Sequence, residues 1–79
     1  MLADEIYTQL IFDGLSAPSI ASLPGMAERT IILDGFSKTY AMTGWRLGYG
    51  IMPEDLADRV GLLLTHSIGC TAHFTQIAA

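Results

Sequence analysis

The chain has 79 residues and a mass of 8.5 kDa, which is enough for one small domain or for part of a larger one. Its residues are 51% apolar and 15% charged with a mean hydropathy of +0.41, which excludes a disordered tail and exceeds what a free-standing domain of this size usually has. The net charge of −4 and the isoelectric point near 4.7 make nucleic acid and anionic membrane surfaces poor candidate partners.

The first third of the chain predicts the end of a strand followed by irregular backbone. A short apolar lead stops at Asp4 and indicates the last residues of a strand whose beginning is missing. Residues 6–11 have a brief, loosely helical spacing of apolar side chains. Residues 15–25 predict a loop, because prolines and glycine interrupt them.

The middle of the chain predicts two strands with a short connection. Residues 30–33, TIIL, are each β-branched or apolar, which predicts a strand buried on both faces. Residues 46–51 predict a further strand that opens at Arg46. The connection between them allows an antiparallel pair, since a parallel crossover needs a dozen or more residues.

The last third predicts two helices. Pro53 stands where the first helix begins, and that helix extends to residue 67. Four of its residues form one apolar stripe that we interpret as core packing: Leu56, Val60, Leu63 and Leu64. Residues 74–79 indicate the start of a second helix without its end, so both ends of the chain look cut through elements.

Side chains with reactive chemistry lie at the predicted strand ends. Lys38 follows the buried strand, and a lysine in such a place loses its proton more readily, as Schiff-base chemistry requires. Arg46 offers a planar fork of donors that suits a phosphate. Asp4 ends a strand and Tyr7 follows three residues later, so one turn would aim both at the same space. Open α/β sheets bind ligands at such strand ends.

The segment SKTYAMTGWRLGY, residues 37–49, closely resembles the pyridoxal-phosphate attachment motif of the class I/II, fold-type I aminotransferases. Residues 4–7 are similar to the second cofactor motif of that family and lie at the usual distance upstream. Two motifs at the correct spacing are specific, and the resemblance covers essentially all of residues 1–79. It implies part of the large cofactor-binding domain, a three-layer α/β/α fold with a mixed, mostly parallel sheet.

The resemblance also implies a role for each matched residue. Lys38 would form the Schiff base with pyridoxal 5′-phosphate (PLP) and later move a proton. Asp4 would pair with the pyridine nitrogen, and Tyr7 would hydrogen-bond the oxygen O3′ of the ring. Arg46 would bind the phosphate, and Ser37 could add a hydroxyl or an amide nearby. No metal is implied.

One position departs from the family pattern. Gly35 stands three residues before Lys38, where several family members carry a serine that contacts the phosphate. Glycine also occurs there in the family, but it cannot supply that side-chain bond.

Lys38 itself has an alternative interpretation as an ordinary surface lysine.

The other assignments have structural alternatives as well. Arg46 could pair with Asp34 or Glu54 as an ordinary ion pair. Asp4 could be a helix N-cap, and Tyr7 could be a half-buried core residue.

The activity implied by the resemblance is transfer of an amino group from an amino acid to a 2-oxo acid, in an enzyme that forms a homodimer. Relatives that use the same site for β-elimination or cyclisation are an alternative. A second alternative is a non-catalytic, truncated fragment, because other parts of the family's site are missing from these residues. The substrate is left open.

Cysteine usage and the first residues bear on the compartment. Cys70 is the only cysteine, which excludes an internal disulfide and a cysteine-based zinc site. The first residues lack the basic and apolar regions of a signal peptide. We therefore expect a soluble, cytoplasmic protein.

Overall fold

Three short strands and two α-helices form along the chain, and the computed structural model describes all residues from 1 to 79. The strands are β1 (Leu2–Asp4), β2 (Ile31–Gly35) and β3 (Gly48–Ile51). The helices are α1 (Glu54–Ser67) and α2 (His73–Ala78). Single turns of 3-10 helix lie at Ile20–Ser22, Ala27–Arg29 and Thr43–Trp45.

The strands form one mixed sheet in the order β1-β2-β3. β1 and β2 are parallel, with Asp4 opposite Leu33, and β2 and β3 are antiparallel, with Gly35 opposite Gly48. The antiparallel pairing that the short connection allows is therefore confirmed. Because β1 and β2 end where β3 begins, these three strand ends lie at one edge of the sheet, which we call the site edge.

The connection from β1 to β2 contains no α-helix. The helical spacing at residues 6–11 is misleading, since the amides of Thr8 and Leu10 each bond only to the carbonyl three residues back. Asp13 and Gly14 then adopt positive φ angles of 60° and 66°, which stop any helix. One or two turns alone do not offset the cost of nucleating a helix.

The loop predicted over residues 15–25 is confirmed except for one 3-10 turn. Ser19 caps this turn, because its Oγ accepts a hydrogen bond of 3.2 Å from the amide of Ala21. The same Oγ donates to Glu5 Oε1 at 2.6 Å, which ties the loop to the end of β1.

Burial is the main difference from the sequence prediction. Only Thr30, Gly35 and Thr75 are buried, and no large apolar side chain is among them. The prediction of a strand buried on both faces at residues 30–33 is wrong for this chain, since Leu33 is 39% exposed. The physical reason is that no α-helix packs closely enough on the sheet to cover it, as a second layer would.

Both helices form where the sequence predicts them. α1 begins directly after Pro53 with acidic residues in its first turn, and it ends where Gly69 turns with a φ of 80°. Its apolar stripe is not core packing here, because Leu63 is 64% exposed and Leu64 is 42% exposed. Neither helix is long and apolar enough to cross a membrane.

Candidate functional site

The five residues predicted for the site all lie at or next to the site edge. Asp4 is the last residue of β1, and Lys38 and Ser37 occupy the turn that follows β2. Tyr7 lies in the turn after β1, and Arg46 lies two residues before β3. The parallel pairing of β1 with β2 and the antiparallel pairing of β2 with β3 bring these segments to the same edge.

The amine of Lys38 lies over the aromatic ring of Tyr7. Its Nζ is 5.5 Å from the ring centroid, which is a cation–π contact. Lys38 is half-buried, and it is the only lysine of the chain. The structure thus joins two of the predicted site residues, 31 positions apart in sequence, in direct contact.

The turn that carries Lys38 is closed by two backbone hydrogen bonds. The amide of Tyr40 donates to the carbonyl of Phe36, and the amide of Ala41 donates to the carbonyl of Lys38, both at 3.3 Å. Ala41 has a φ of 53°, so the chain leaves the turn in a left-handed conformation. Ser37 lies half-buried in this turn, directly before the lysine.

The carboxylate of Asp4 is exposed at the end of β1. Its Oδ1 accepts a hydrogen bond of 3.2 Å from the amide of Ile6, so Asp4 caps a turn. The capping alternative is thus part of what this residue does, although no helix follows it. A carboxylate anchored through one oxygen still presents the other to a partner at the site edge.

Arg46 does not open a strand, and that prediction is wrong. It follows the 3-10 turn at Thr43–Trp45 in a left-handed conformation with a φ of 54° and a ψ of 46°, and β3 begins only at Gly48. Such a conformation costs a non-glycine residue about 1–2 kcal/mol. Its Nη1 donates to the carbonyl of Thr43 at 3.0 Å, rather than to the carboxylate of Asp34 or Glu54.

Arg46 lines the largest cavity of the chain, which has a volume of about 590 Å³. The cavity lies between the 3-10 turn before Arg46 and the start of α2; its other lining residues are Gly44, Trp45, Thr71, Ala72, Phe74 and Thr75. Lys38 and Tyr7 do not line it. The structure therefore brings the lysine and the tyrosine together and leaves the arginine on the neighbouring surface.

Gly35 lies buried where β2 and β3 approach each other closely. A Cβ atom at this position would lie 2.9 Å from the carbonyl oxygen of Leu47 and 3.0 Å from the Cα of Gly48. Both contacts are with backbone, so a larger residue requires β3 to move. The glycine that departs from the family pattern is thus the residue that fits this sheet.

A polar and aromatic cluster beside the lysine turn was missed from the sequence. The hydroxyl of Tyr49 donates to Asp34 Oδ2 at 3.0 Å, and the ring of Phe36 lies 5.9 Å from the ring of Tyr49 and 5.8 Å from that of Tyr40. The hydrogen bond to Asp34, with smaller contributions from burial and charge, raises the pKa of Tyr49 above its ordinary value. The sequence indicates only that Asp34 and Tyr49 belong to two strands that can pair. Placing the two residues opposite each other requires the register of that pair.

An amine, a phenol and a carboxylate thus lie at or next to the site edge, and a guanidinium lies on the neighbouring surface. An amine can attack a carbonyl carbon, and a guanidinium can bind a phosphate in a fork of donors. A carboxylate can stabilise a protonated ring nitrogen. Together these groups suit a phosphorylated aromatic aldehyde.

The family model and the relatives that match this chain all belong to the aminotransferases. The family model described as aminotransferase class I and II matches residues 1–79. The chain is 47% identical over 79 residues to aromatic-amino-acid aminotransferase 2 of Thermococcus litoralis and 44% identical over 79 residues to an aspartate aminotransferase of Pyrococcus abyssi. Each match covers 100% of this chain and 20% of the relative, so the chain spans about a fifth of the length of these relatives.

Solved structures agree with the sequence comparison. The chain superimposes on the aromatic aminotransferase from Pyrococcus horikoshii with a TM-score of 0.88 and 45% identity, over 95% of this chain and 20% of that one. The aspartate aminotransferase from Rhizobium meliloti gives a TM-score of 0.88 and 34% identity, over 95% of this chain and 19% of that one. The predicted fold class is therefore confirmed: the chain is a part of an α/β domain of this kind.

Proposed function

Because this chain belongs to the class I and II aminotransferase family, we propose that it is the lysine-bearing segment of a PLP-dependent enzyme that moves amino groups from amino acids to 2-oxo acids. The observation that carries the proposal is the contact between the amine of Lys38 and the ring of Tyr7, at the edge shared with Asp4 and Arg46. The remainder of such an enzyme lies outside the segment that matches.

The side chains at the site edge fit PLP by their chemistry. The cofactor has an aldehyde, a ring nitrogen, a ring oxygen and a phosphate, and the edge offers an amine, a carboxylate, a phenol and a guanidinium. Bound PLP supplies an electron sink for the electrons that remain on the substrate Cα when its proton leaves. The side chains of the protein would hold the cofactor, orient its ring and move the proton.

Lys38 is the residue that would hold the cofactor covalently and then move the proton. The amine must be neutral to attack an aldehyde and to accept a proton from the substrate Cα. Its half-buried turn and its contact with the face of Tyr7 restrict where the Nζ can go. A restricted amine stays within reach of one atom, which lowers the entropy cost of the proton transfer.

Asp4 and Tyr7 would orient the ring. Asp4 would hold a proton on the ring nitrogen through the carboxylate oxygen that does not cap the turn. Tyr7 would donate a hydrogen bond to the ring oxygen, while its ring, whose centroid is 5.5 Å from the Nζ, borders the space that the Lys38 amine occupies. Tyr7 would thereby contact both the cofactor ring and the side chain of Lys38.

Arg46 and Ser37 would bind the phosphate. The guanidinium of Arg46 is exposed and spends one donor on the carbonyl of Thr43, so its remaining donors can reach an anion. Gly35 has no space for a side chain, so Ser37 would supply a hydroxyl or an amide near the lysine instead.

The substrate class is proposed no more narrowly than an amino acid and a 2-oxo acid. The chain is 44–47% identical to relatives named for aromatic amino acids, for aspartate and, in Pseudomonas aeruginosa, for arginine and pyruvate. Similarity to all three at the same level indicates that this segment does not select the substrate side chain.

The compartment and the assembly are parts of the same proposal. We propose a cytoplasmic homodimer, in which the exposed and unpaired Cys70 fits a reducing compartment. Analytical ultracentrifugation of the complete enzyme would test the dimer, and a mass near that of one chain would contradict it.

A segment exchange tests the proposed function. This chain replaces the matching 79 residues of the Thermococcus litoralis enzyme, and single-turnover conversion of an amino acid to its 2-oxo acid is followed with PLP present. We expect conversion by the chimera and none by its Lys38→Arg variant, which keeps a positive charge but has no amine for the aldehyde. Arg59→Lys, a change on the exposed surface of α1, is the control and should convert normally. A Lys38→Arg variant as fast as the chimera would contradict the proposal.

A further inference from the structure

Tyr49 and Asp34 face each other across the antiparallel pair of β2 and β3. The Tyr49 hydroxyl donates a hydrogen bond of 3.0 Å to Oδ2 of Asp34, and Oδ1 of the same carboxylate accepts from the amide of Gly35 at 2.6 Å. The carboxylate is therefore held at both oxygens, and through it the phenol of Tyr49 is fixed to the last residues of β2. Hydrogen bonds to a charged acceptor are among the stronger ones in proteins.

The ring of Tyr49 also contacts the turn that carries Lys38, through the ring of Phe36. It meets the ring of Phe36 edge-on, with 5.9 Å between the centroids and 65° between the planes. Phe36 in turn contacts Tyr40 at 5.8 Å. Phe36 stands two residues before Lys38 and Tyr40 two residues after it, so the aromatic contacts hold the turn on both sides of the amine.

We propose that Tyr49 is a positioning residue for Lys38, acting through its hydrogen bond to Asp34 and its ring contact with Phe36. The inference rests on the proposed function, because it concerns where the reactive amine lies. No hydrogen bond or ring contact joins Tyr49 to Lys38 or to the groups proposed to bind the cofactor. It fixes the strand end and the turn from which the amine extends.

The protonation of Tyr49 is consistent with this role. Its hydrogen bond to Asp34 raises the pKa of the phenol above the ordinary value of 10.0. The hydroxyl therefore stays protonated and keeps donating at neutral pH.

The test removes the hydroxyl and keeps the ring. In the chimera described above, Tyr49→Phe is compared with Thr65→Val, which also removes a hydroxyl that donates a 3.0 Å hydrogen bond, but in α1. The readouts are the rate at which added PLP becomes attached to Lys38, followed by its visible absorption, and the pH midpoint of that absorption. We expect attachment to slow about tenfold in Tyr49→Phe, since one hydrogen bond to a charged acceptor is worth about that factor. We expect its pH midpoint to shift, and both readouts to stay unchanged in Thr65→Val.

Two further variants keep the test decisive if Tyr49→Phe does not fold. Asp34→Asn leaves one acceptor oxygen for two donors, the Tyr49 hydroxyl and the Gly35 amide, so it should slow attachment of PLP, and Asp34→Ala should be about tenfold slower than the unaltered chimera. Where Tyr49→Phe does fold, the double variant Asp34→Ala/Tyr49→Phe should be no slower than the slower single variant, because the two groups act as one pair.

The outcomes separate this inference from the proposed function. If the unaltered chimera attaches no PLP at Lys38, the proposed function fails and the positioning role fails with it. If the chimera attaches PLP and the variants at Tyr49 and Asp34 do so at the same rate and with the same pH midpoint, only the positioning role is overturned.

Discussion

The site edge and the helical part of the chain are stabilised to different degrees. At the site edge, three strands pair in a defined register, and Gly35 is buried against β3. In the helical part, α1 and α2 form their own hydrogen bonds but expose large apolar side chains, with Leu62 at 63% and Phe74 at 75%. The chain thus contains the local geometry of a site without the packing that would stabilise a domain.

The difference follows from the range of the interactions involved. Strand register, turns and the contact between Lys38 and Tyr7 need only segments that this chain contains. Hydrophobic stabilisation needs a second layer, and each large apolar side chain that becomes buried contributes about 1.5–3 kcal/mol. The smallest dimension of the chain is 17 Å, which is too thin for three layers spaced by about 10 Å. The proposed chemistry therefore depends on covering that the rest of an aminotransferase would provide.

The largest expected effect separates the 79-residue chain from the chimera. Without a covering layer, we expect the chain alone to self-associate and to show no amino transfer with added PLP. Sedimentation of the purified chain and a single-turnover assay with several amino acids measure both. Leu63→Glu, which places a charge on the exposed stripe of α1, should reduce the self-association without restoring transfer. If the unaltered chain is a compact monomer that converts PLP to pyridoxamine phosphate, it does not need a covering layer for stability or activity, contrary to this expectation.

A smaller but still large effect is expected at Asp4 in the chimera. Asp4→Asn removes the charge that would keep the ring nitrogen protonated, so removal of the Cα proton should slow by about a hundredfold or more. Cofactor binding should change far less, because Arg46 and Lys38 would still hold PLP. Stopped-flow absorbance separates the two quantities. Asp13→Asn, in an exposed turn, is the matched control, and normal turnover by Asp4→Asn would show that Asp4 is only a cap.

A stability effect is expected where the two strands meet at the site edge. Gly35→Ala adds a Cβ that would lie 2.9 Å from the carbonyl oxygen of Leu47, so the free energy of unfolding should fall by about 1–3 kcal/mol. Gly44→Ala is the control, because no atom lies within 4 Å of an added Cβ there. Thermal unfolding of the two chimeras gives the difference, and equal melting temperatures would show that β2 and β3 are not closely fitted.

The smallest effect is expected in alkaline solution. Because the folded-state pKa of Tyr49 is raised above 10.0, its contribution to stability is fully present below pH 10 and is lost as the pH rises through the raised value. A tyrosinate absorbance titration of the chimera should show a late-titrating phenol that is missing from Tyr49→Phe. If the phenol that Tyr49→Phe lacks instead titrates at the ordinary pKa of 10.0, the bond between Tyr49 and Asp34 is absent in solution.

The sequence predicts the positions of the end of β1 and of the lysine turn better than it predicts the arrangement of the side chains around them. The end of β1 at Asp4 and the turn that carries Lys38 depend on local residues, and both lie where the sequence predicts them. The left-handed conformation of Arg46 was missed, because no glycine marks it. The pairing of Tyr49 with Asp34 depends on strand register, which a single sequence does not define.

The burial pattern could not be predicted for a different reason. The apolar residues at 30–33 and along α1 are typical of elements that a folded domain covers on several sides. Composition describes what a residue is suited to contact, whereas burial depends on which elements are present. In this chain those apolar side chains remain largely exposed, because no packed layer covers them.

The most direct test of the central claim, that Lys38 is the amine placed by this segment to hold PLP, is a peptide map of the borohydride-reduced chimera. Reduction fixes the cofactor to the amine that carries it, and the only lysine in this segment makes its peptide unambiguous. We expect one pyridoxyl group on the peptide that contains Lys38, and none on that peptide in Lys38→Ala. A label found only on lysines outside this segment, in a chimera that binds PLP and is active, would contradict it.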